Sequence, residues 1–250
     1  MARLRDTDHR PSGVGAHRQH VAFLGGPGIV YQEFAPPPEL ASWVAVFWRI
    51  ASEVTFELRV APDGCMDVIR DDVVGSLAHP LTPTFQPGDI SEGVRFHPGG
   101  FSALFGIPAS ELVDVRLPIA DVLPRFRSLR RLAQDAPPPD PLAQAAYQAR
   151  DIRALCQATG YSERQLRRRV LAATGHGPKR LMRIARMQDV LRYGRGESWA
   201  QTAAEHGYYD EAHMANDIRE LAGATPHALL GARHVAQPKW QMPAQGVQVV

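Results

Sequence analysis

The sequence predicts an α+β protein in which a small β-barrel domain precedes an all-α domain. Short segments rich in β-branched and aromatic residues, separated by turn residues, occupy positions 29 to about 105. A proline-rich segment, APPPDP at 136–141, is typical of a stiff linker between domains. Beyond it, apolar residues recur at helical spacing as far as residue 231. These observations place domains at 28–135 and 142–231, and they predict a flexible tail at 232–250.

The composition is that of an ordinary globular protein. Of the 250 residues 44% are hydrophobic and 22% are charged, and the formal net charge of +2 means that nucleic-acid binding would require local clusters of positive charge. Cys65 and Cys156 are far apart in the sequence, which indicates neither a disulfide framework nor a cysteine zinc site. The arginines of MARLRDTDHR precede no apolar segment, and the longest apolar run, WVAVFW at 43–48, is too short to span a bilayer. We therefore expect a cytoplasmic protein without a signal peptide or a membrane partner.

The N-terminal domain is predicted to be rich in strands and to follow a disordered arm at 1–27. Its predicted strands are IVYQEF at 29–34, VAVFWRI at 44–50, TFELRV at 55–60, CMDVIR at 65–70 and GVRF at 93–96. The turn signals between them are APPP at 35–38, APDG at 61–64, QPGD at 86–89 and HPGG at 97–100. Strands this short and this closely spaced favour a small, cupin-like barrel. Two terminal helices are predicted at 108–116 and 118–133, the first of them beginning at Pro108.

The helical half contains a two-helix unit that occurs twice, at an offset of 48 positions (210 minus 162). The matching pairs are Tyr161 with Tyr209, Ser162 with Asp210, Leu166 with Met214, Val170 with Ile218, Gly175 with Gly223, Pro178 with Pro226 and Leu181 with Leu229. Two copies of a unit this long indicate a duplicated helix-turn-helix rather than a solenoid. Between the copies, Pro178 begins and Gly194 ends a continuous helix.

Capping signals support both copies. Ser162 and Gln165 have the spacing of a capping box, and Asp210 is a suitable N-cap for the second copy. The residue before each cap is expected to pack onto the first apolar residue of the following helix as a hydrophobic staple. These expected staples are Tyr161 on Leu166 and Tyr209 on Met214.

A long basic segment lies across the first copy. From Arg164 to Arg186 there is no acidic residue, and the cations are Arg164, Arg167, Arg168, Arg169, Lys179, Arg180, Arg183 and Arg186. For one isolated segment, a solvated arginine-rich face explains this pattern as well as DNA binding does. The duplicated, capped unit favours DNA, because the second helix of a helix-turn-helix enters the major groove, where arginine can donate two hydrogen bonds to guanine. Arg164, Arg167 and Arg168 lie opposite the apolar face of this helix, so we predict that they face the DNA, and that Lys179, Arg180 and Arg183 beside them contact phosphates.

The segments SERQLRRRVLAATGHGPKRLMRIARM and WAQTAAEHGYYDEAHM…GATP resemble the AraC/XylS family of bacterial transcription regulators. They are similar to that family's two helix-turn-helix units and the helix that joins them, over about 150–230. The N-terminal half is similar to a sensor-type domain of some such regulators, through PPPELASWVAVFW, APDGCMDVI and GVRFHPGGFSALFGIPASEL. The resemblance implies a sequence-specific regulator that binds double-stranded operator DNA, with RNA polymerase as a partner. It further implies that the N-terminal domain binds a small-molecule effector, forms a homodimer, or does both.

The resemblance also assigns positions that face the bases. On the first recognition helix they match Arg164, Arg167 and Arg168; on the second they match Glu211, Ala212, Ala215 and Asn216, and we include His213 in the predicted site. The second helix departs from the family pattern, because Asn216 stands where arginine is common and Ile218 where phenylalanine is common. Glu211 and Asp217 make it less cationic than the first helix. We therefore predict that the first unit carries most of the affinity, and that the second is weaker or reads a degenerate half-site.

The candidate effector site surrounds the segment PDGCMD. Its predicted residues are Trp48, Asp63, Cys65, Asp67, Arg70 and Arg95. Plainer interpretations compete with this one: Asp63 can simply form a turn with Gly64, Cys65 can be a core thiol rather than a redox sensor, and Trp48 can be a core residue.

Two other classes of function fit the sequence less well. A cupin-type metalloenzyme needs clustered histidines, but His79 and His97 stand alone, and the sequence has no phosphate-binding loop or nucleophile motif. We therefore expect no enzymatic activity, no metal and no cofactor. A DNA-binding adaptor that responds to no ligand is the alternative, and a cupin-type enzyme fused to a DNA-binding domain is a less favoured one.

Overall fold

A computed structural model of the chain describes residues 27–124, 126, 128–194, 198–231 and 235–236. The predicted arm at 1–27, except for its last residue, lies outside the described residues, as does the predicted tail at 232–250, except for Val235 and Ala236. In the described part, a sheet-rich N-terminal region precedes a helical C-terminal region, which confirms the predicted order. No helix in that part is long and apolar enough to cross a membrane.

The N-terminal region is built on one large antiparallel sheet. The strands of the chain are β1 (Ile29–Phe34), β2 (Val44–Ser52), β3 (Phe56–Glu57), β4 (Arg59–Val60), β5 (Met66–Ile69), β6 (Asp72–Val74), β7 (Thr84–Phe85), β8 (Ile90–Phe96), β9 (Arg116–Pro118) and β10 (Val235–Ala236). Six of them form a sheet in the order β1-β2-β8-β5-β6-β9. The predicted strand TFELRV is divided into β3 and β4, which pair with β7 and β10 instead of joining this sheet. Among the described residues the sheet stays open between β1 and β9, so the predicted barrel is not confirmed.

The described helices are α1 (Gly100–Phe105), α2 (Ile119–Val122), α3 (Leu129–Asp135), α4 (Pro141–Gln148), α5 (Ile152–Thr159), α6 (Glu163–Thr174), α7 (Pro178–Tyr193), α8 (Trp199–Glu205), α9 (Glu211–Ala222) and α10 (Pro226–Gly231). The two helices predicted at 108–116 and 118–133 are largely wrong. The first is a single 3-10 turn at Ala109–Glu111, and the second is divided into the end of β9, α2 and α3. Asp114 has a φ of 56°, which an α-helix does not accommodate, and Pro118 disfavours a helical Leu117 before it.

The core of the helical region is divided between the two helix-turn-helix units. Leu166 and Val170 of α6 pack with α4 and α5 in one cluster, and Met214 and Ile218 of α9 pack in another. Helix α7 belongs to both, because Leu181 and Met182 lie in the first cluster and Ile184, Met187, Val190 and Leu191 lie in the second. The buried side chains of α7 therefore fix the two units on one shared helix.

Helix α7 also packs against the sheet-rich region. The Gln188 side chain donates to the Pro62 carbonyl at 2.7 Å, and the Arg180 guanidinium donates to the Ala78 carbonyl. Gly64 has a φ of 75° and lies so close to Leu181 that a Cβ there would stand 2.7 Å from Leu181 Cδ1. Two loops of the N-terminal region, 61–64 and 75–79, thus rest on the helix that joins the two units.

Candidate nucleic-acid interface and ligand cavity

The first helix-turn-helix unit consists of α5, a short turn and α6. The backbone N–H of Gln165 donates to Ser162 Oγ at 3.3 Å, and the Ser162 N–H donates to Gln165 Oε1 at 2.9 Å, which confirms the predicted capping box. Tyr161 packs against the cluster that contains Leu166, as the staple requires. These contacts fix where α6 begins and which of its faces turns outward.

The outward face of α6 is cationic. Arg164, Arg167 and Arg168 are exposed, and Leu166 and Val170 on the opposite side are completely buried. Within the described residues, none of the three arginines forms an ion pair with a carboxylate. The helix thus presents three guanidinium groups whose donors are free for a planar acceptor pair such as guanine O6 and N7.

Sequence reasoning missed one member of this face. Leu171 follows Arg167 by four positions and Arg168 by three, so it lies on the same stripe, and it is 37% exposed. The available signal was its helical spacing from the arginines. Beside the arginines, this exposed leucine gives the face an apolar point that is suited to a methyl group such as that of thymine.

The other predicted cations have protein partners. Lys179 is exposed and forms an ion pair with Glu163 at 2.8 Å. Arg180 bonds to the Ala78 carbonyl of the sheet-rich region. The Arg183 guanidinium holds Asp217 at 2.6 Å and Glu220 at 2.7 Å, both in α9. Of the three cations predicted to contact phosphates, Arg180 and Arg183 therefore hold the fold together in the free protein.

The remaining two arginines of the basic segment are also engaged in the fold. Arg169 bonds to Asp140 at 3.0 Å, and its guanidinium lies over the Tyr161 ring at 4.9 Å. Arg186 lies over the Tyr208 ring at 5.1 Å. Arg169 and Arg186 therefore stabilise the turns that precede α6 and α9. The part of the basic segment that stays exposed and unpaired is the outer face of α6.

The second unit, α8 and α9, repeats the cap but not the staple. The Asp210 carboxylate accepts from the His213 N–H at 2.7 Å, as Ser162 accepts from Gln165 in the first unit. His213 Nδ1 accepts from the N–H of Tyr209, the residue before the cap, at 3.4 Å. The predicted packing of Tyr209 on Met214 is wrong, because the Tyr209 side chain is 92% exposed. The preceding residue, Tyr208, is buried in the cluster with Met214 instead. The turn after α8 therefore directs Tyr208 inward and Tyr209 outward.

The outward face of α9 is mixed in charge. Glu211, Ala212 and Asn216 are exposed and Ala215 is half-buried. Arg219, which sequence reasoning missed, is exposed and donates to Asn216 Oδ1 at 3.0 Å. It stands 48 positions after Leu171, so the repeat itself could have identified it. Here a single exposed arginine takes the place of the three on α6.

Comparison with family models agrees with this geometry. A helix-turn-helix domain of the AraC type matches residues 155–232, which cover both units apart from the first three residues of α5. This chain carries an AraC-type helix-turn-helix domain. A domain of unknown function (DUF6597) matches residues 32–118, ahead of it. No curated protein and no solved structure matches the chain. The match confirms a DNA-binding transcription regulator of the AraC type, as the sequence resemblance predicted.

The sheet-rich region of this AraC-type regulator contains a cavity of about 430 Å³. Four of the predicted effector residues line it: Trp48, Asp63, Asp67 and Arg95. Its walls are mostly apolar and include Tyr31, Ile50, Leu58, Val60, Leu77 and Phe85. A largely apolar cavity of this size with a few converging polar groups is typical of small-molecule sites.

The polar groups form one buried cluster at the cavity wall. Arg95 Nε lies 3.2 and 3.3 Å from the two oxygens of Asp67, and Arg95 Nη1 lies 3.5 Å from Asp63 Oδ2. Trp48 Nε1 donates to Asp67 Oδ1 at 2.9 Å. The Trp48 ring reaches this position by lying against Gly93, where a Cβ would stand 2.6 Å from the ring. Burial raises the pKa of Asp67 and the charge of Asp63 adds to the rise, while Arg95 and Trp48 oppose it.

Two predicted effector residues do not line the cavity. Cys65 is buried and packs with Ala45 and Val46, and burial raises the pKa of its thiol well above the usual value. It is therefore a protonated core thiol, the plainer of the two interpretations. Arg70 is exposed in the turn between β5 and β6, with a φ of 53°. Among the described residues, no group of three His, Cys, Asp or Glu side chains is placed to hold a metal ion.

Proposed function

We propose that this regulator binds operator DNA chiefly through α6. Arg164, Arg167 and Arg168 read base edges in the major groove, and Lys179 contributes a phosphate contact by exchanging Glu163 for the DNA backbone. The observation that carries this proposal is the outer face of α6, where three exposed and unpaired arginines lie opposite a buried apolar face on a helix with a complete cap.

The second unit is proposed to bind the adjacent groove weakly. Ala212 and Ala215 are small enough to contact a thymine methyl, and Asn216 can read adenine once Arg219 releases it. Helix α7 has 16 residues. At 1.5 Å per residue it is about 24 Å long, a suitable size to space two helices on successive turns of one DNA face.

We also propose that a small molecule in the cavity modulates DNA binding. Asp63 lines the cavity, and the neighbouring Pro62 carbonyl accepts from Gln188 of α7. Leu77 lines it too, and the neighbouring Ala78 carbonyl accepts from Arg180 of α7. A ligand that moves either loop changes the support of α7, and with it the relative pose of the two units. A contact with RNA polymerase would then carry the regulatory output.

A binding experiment with the full chain and a pool of randomised DNA duplexes tests this function. Binding is measured by fluorescence anisotropy at several salt concentrations. Sequencing of the retained DNA is expected to show one strongly enriched block, with a weaker block about one helical turn away. The affinity is expected to fall steeply as salt rises, because bound cations release counterions from the DNA. Equal retention of all sequences would contradict base reading by α6, and no binding at low salt would contradict the proposed function altogether.

A further inference from the structure

The charges at the polar end of the cavity do not balance. One guanidinium, that of Arg95, serves two carboxylates, those of Asp63 and Asp67, and all three side chains are almost completely buried. With all three groups ionised, the cluster carries one net negative charge in apolar surroundings. Such a charge is costly to bury unless the site neutralises it by taking up a proton or by binding a cation.

An anionic ligand is poorly matched to this cluster. Arg95 and Arg116 both line the cavity, and each already has a carboxylate partner. Arg95 Nε lies within 3.3 Å of both Asp67 oxygens, and Arg116 Nε donates to Asp72 at 2.7 Å. An incoming carboxylate would have to displace Asp67 or lie beside it and Asp63, adding a like charge in a medium that screens it little. Burial raises the pKa of Asp67, and the nearby charge of Asp63 adds to the rise.

A cation is well matched to the same atoms. Asp63 Oδ1 accepts from the Cys65 N–H at 2.9 Å, whereas the contact of Oδ2 within the described part of the chain is a long one, 3.5 Å to Arg95. The lone pairs of Oδ2 are therefore largely available to a further donor. Tyr31 and Trp48 line the cavity beside the cluster. Aromatic faces next to carboxylates are a recurrent arrangement around ammonium groups.

The rest of the cavity wall is suited to an apolar part of a ligand. Away from the cluster its wall is formed by Ile50, Leu58, Val60, Leu77, Leu81 and Phe85. A hydrocarbon or aromatic group placed here is removed from water at a gain of about 25 cal/mol per Å² of apolar surface.

We propose that the cavity binds an amine with an apolar body, whose ammonium group lies against Asp63 and Asp67. The ammonium donates to Asp63 Oδ2 and to Asp67, and it neutralises the cluster that Arg95 leaves with one negative charge. This inference rests on the proposed role of the cavity as the effector site, and it adds the chemical class of the effector.

Three probes of matched shape test the inference on the full chain: 4-phenylbutylamine, 4-phenylbutan-1-ol and 4-phenylbutanoate. Their dissociation constants are measured by titration calorimetry, with thermal melting as a second readout. The amine is expected to bind at least about tenfold more tightly than the alcohol, and the carboxylate more weakly than either. Equal binding of amine and alcohol, tightest binding of the carboxylate, or binding of none of the three would overturn the proposal.

Asp67→Asn removes one charge at almost constant shape. It is expected to weaken the amine by about tenfold or more and to leave the alcohol unchanged. Glu92→Gln, which removes the exposed partner of Arg49, is the matched control and should change neither. If Asp67→Asn does not melt cooperatively, Asp63→Asn serves in its place. Amine affinity that survives the loss of either carboxylate places the ammonium elsewhere and defeats the assignment.

A parallel measurement separates this inference from the proposed function. Operator affinity is titrated by anisotropy with and without saturating amine. A change in operator affinity supports both proposals. If the amine binds but operator affinity stays constant, the ligand class stands and the modulatory role of the cavity fails. If the alcohol or the carboxylate alone shifts operator affinity, the modulatory role stands and the amine class fails.

Discussion

The two helix-turn-helix units have the same internal construction and opposite outer surfaces. Ser162 and Asp210 cap equivalent helices, each through a backbone N–H three residues on, and Gly175 and Gly223 end those helices in the left-handed conformation. The buried positions are equivalent too. Yet the stripe that carries Arg164, Arg167, Arg168 and Leu171 in α6 carries Ala212, Ala215, Asn216 and Arg219 in α9. The capping residues and the buried residues specify the fold of each unit. The exposed positions are not needed for the fold, so they can differ between the units and give them different DNA-binding surfaces.

The second unit also uses its acidic residues internally. Asp217 and Glu220 of α9 both hold Arg183, a cation that belongs to the shared helix α7. The first unit has a more exposed ion pair with α7. Lys179 of α7 pairs with Glu163 at 2.8 Å, and both of these side chains are more than half exposed. The second unit is therefore held to α7 by two of its carboxylates, whereas Arg164, Arg167 and Arg168 of the first unit stay exposed.

The largest expected difference between the units is in DNA affinity. Combined replacement of Arg164, Arg167 and Arg168 by alanine removes three contacts worth about 1–3 kcal/mol each, so operator affinity should fall by more than about 100-fold. Combined alanine replacement of Glu211, Asn216 and Arg219 on the outer face of α9, which leaves the cap intact, should change it by less than about tenfold. Anisotropy titrations of both variants at one salt concentration decide this. A greater loss from the α9 variant would reverse the proposed order of the two units.

In stability, by contrast, the two units should respond alike. Leu166 and Met214 are equivalent in the repeat and completely or almost completely buried. Replacement of either by alanine leaves a cavity and should lower the free energy of unfolding by about 2–5 kcal/mol. Urea unfolding followed by circular dichroism measures both. If only one of the two variants is destabilised, the units do not share one construction.

The repeat was predictable from sequence because its determinants are local. A cap, a residue three positions on and two apolar residues four apart specify α6 and α9 with little help from the rest of the chain. Closure of the sheet was not predictable in this way, since it depends on which distant strands pair. TFELRV has clean strand alternation, but its partners are β7 and β10 rather than the large sheet.

The same contrast holds within the candidate sites. The exposed arginines of α6 followed from helical spacing alone. Which member of the pair Tyr208 and Tyr209 is buried depends on the path of one turn, and the sequence-based choice was wrong. The roles of Arg180 and Arg183 in the free protein depend on partners 102 and 34 positions away, which no local pattern contains.

The turn between α6 and α7 gives the first unit a dependence on pH that the second lacks. His176 is buried there, and burial, with a contribution from the charge of Arg180, lowers its pKa from 6.5 to about 4. The residue 48 positions on is Ala224, which does not titrate. Because the folded protein binds fewer protons than the unfolded chain between these pKa values, stability from this group is complete above 6.5 and is lost as the pH falls towards 4.

The expected loss from His176 over this range is on the order of 1–3 kcal/mol. His176→Gln should flatten the dependence of the free energy of unfolding on pH in that window, whatever it does to the absolute stability. Ala224→Gln is the matched variant, and it should leave the slope as it is in the unaltered protein. Urea unfolding at several pH values measures the slopes, and an unchanged slope in His176→Gln would contradict a neutral, buried imidazole.

The smallest expected effect compares two exposed acidic partners of α7, Glu163 and Glu220. Glu163→Gln releases Lys179 beside the arginines of α6, so operator affinity should rise by about two- to fivefold, with a steeper dependence on salt. Glu220→Gln removes only one of the two carboxylates on Arg183 and leaves the buried Asp217 contact at 2.6 Å, so its gain should be smaller. Titrations of both variants over a range of salt concentrations give affinity and slope together. A larger gain from Glu220→Gln would mean that Arg183 reaches the DNA more readily than Lys179 does. The DNA affinity of the second unit would then be limited by its own carboxylates, and not by a lack of suitable side chains on α9.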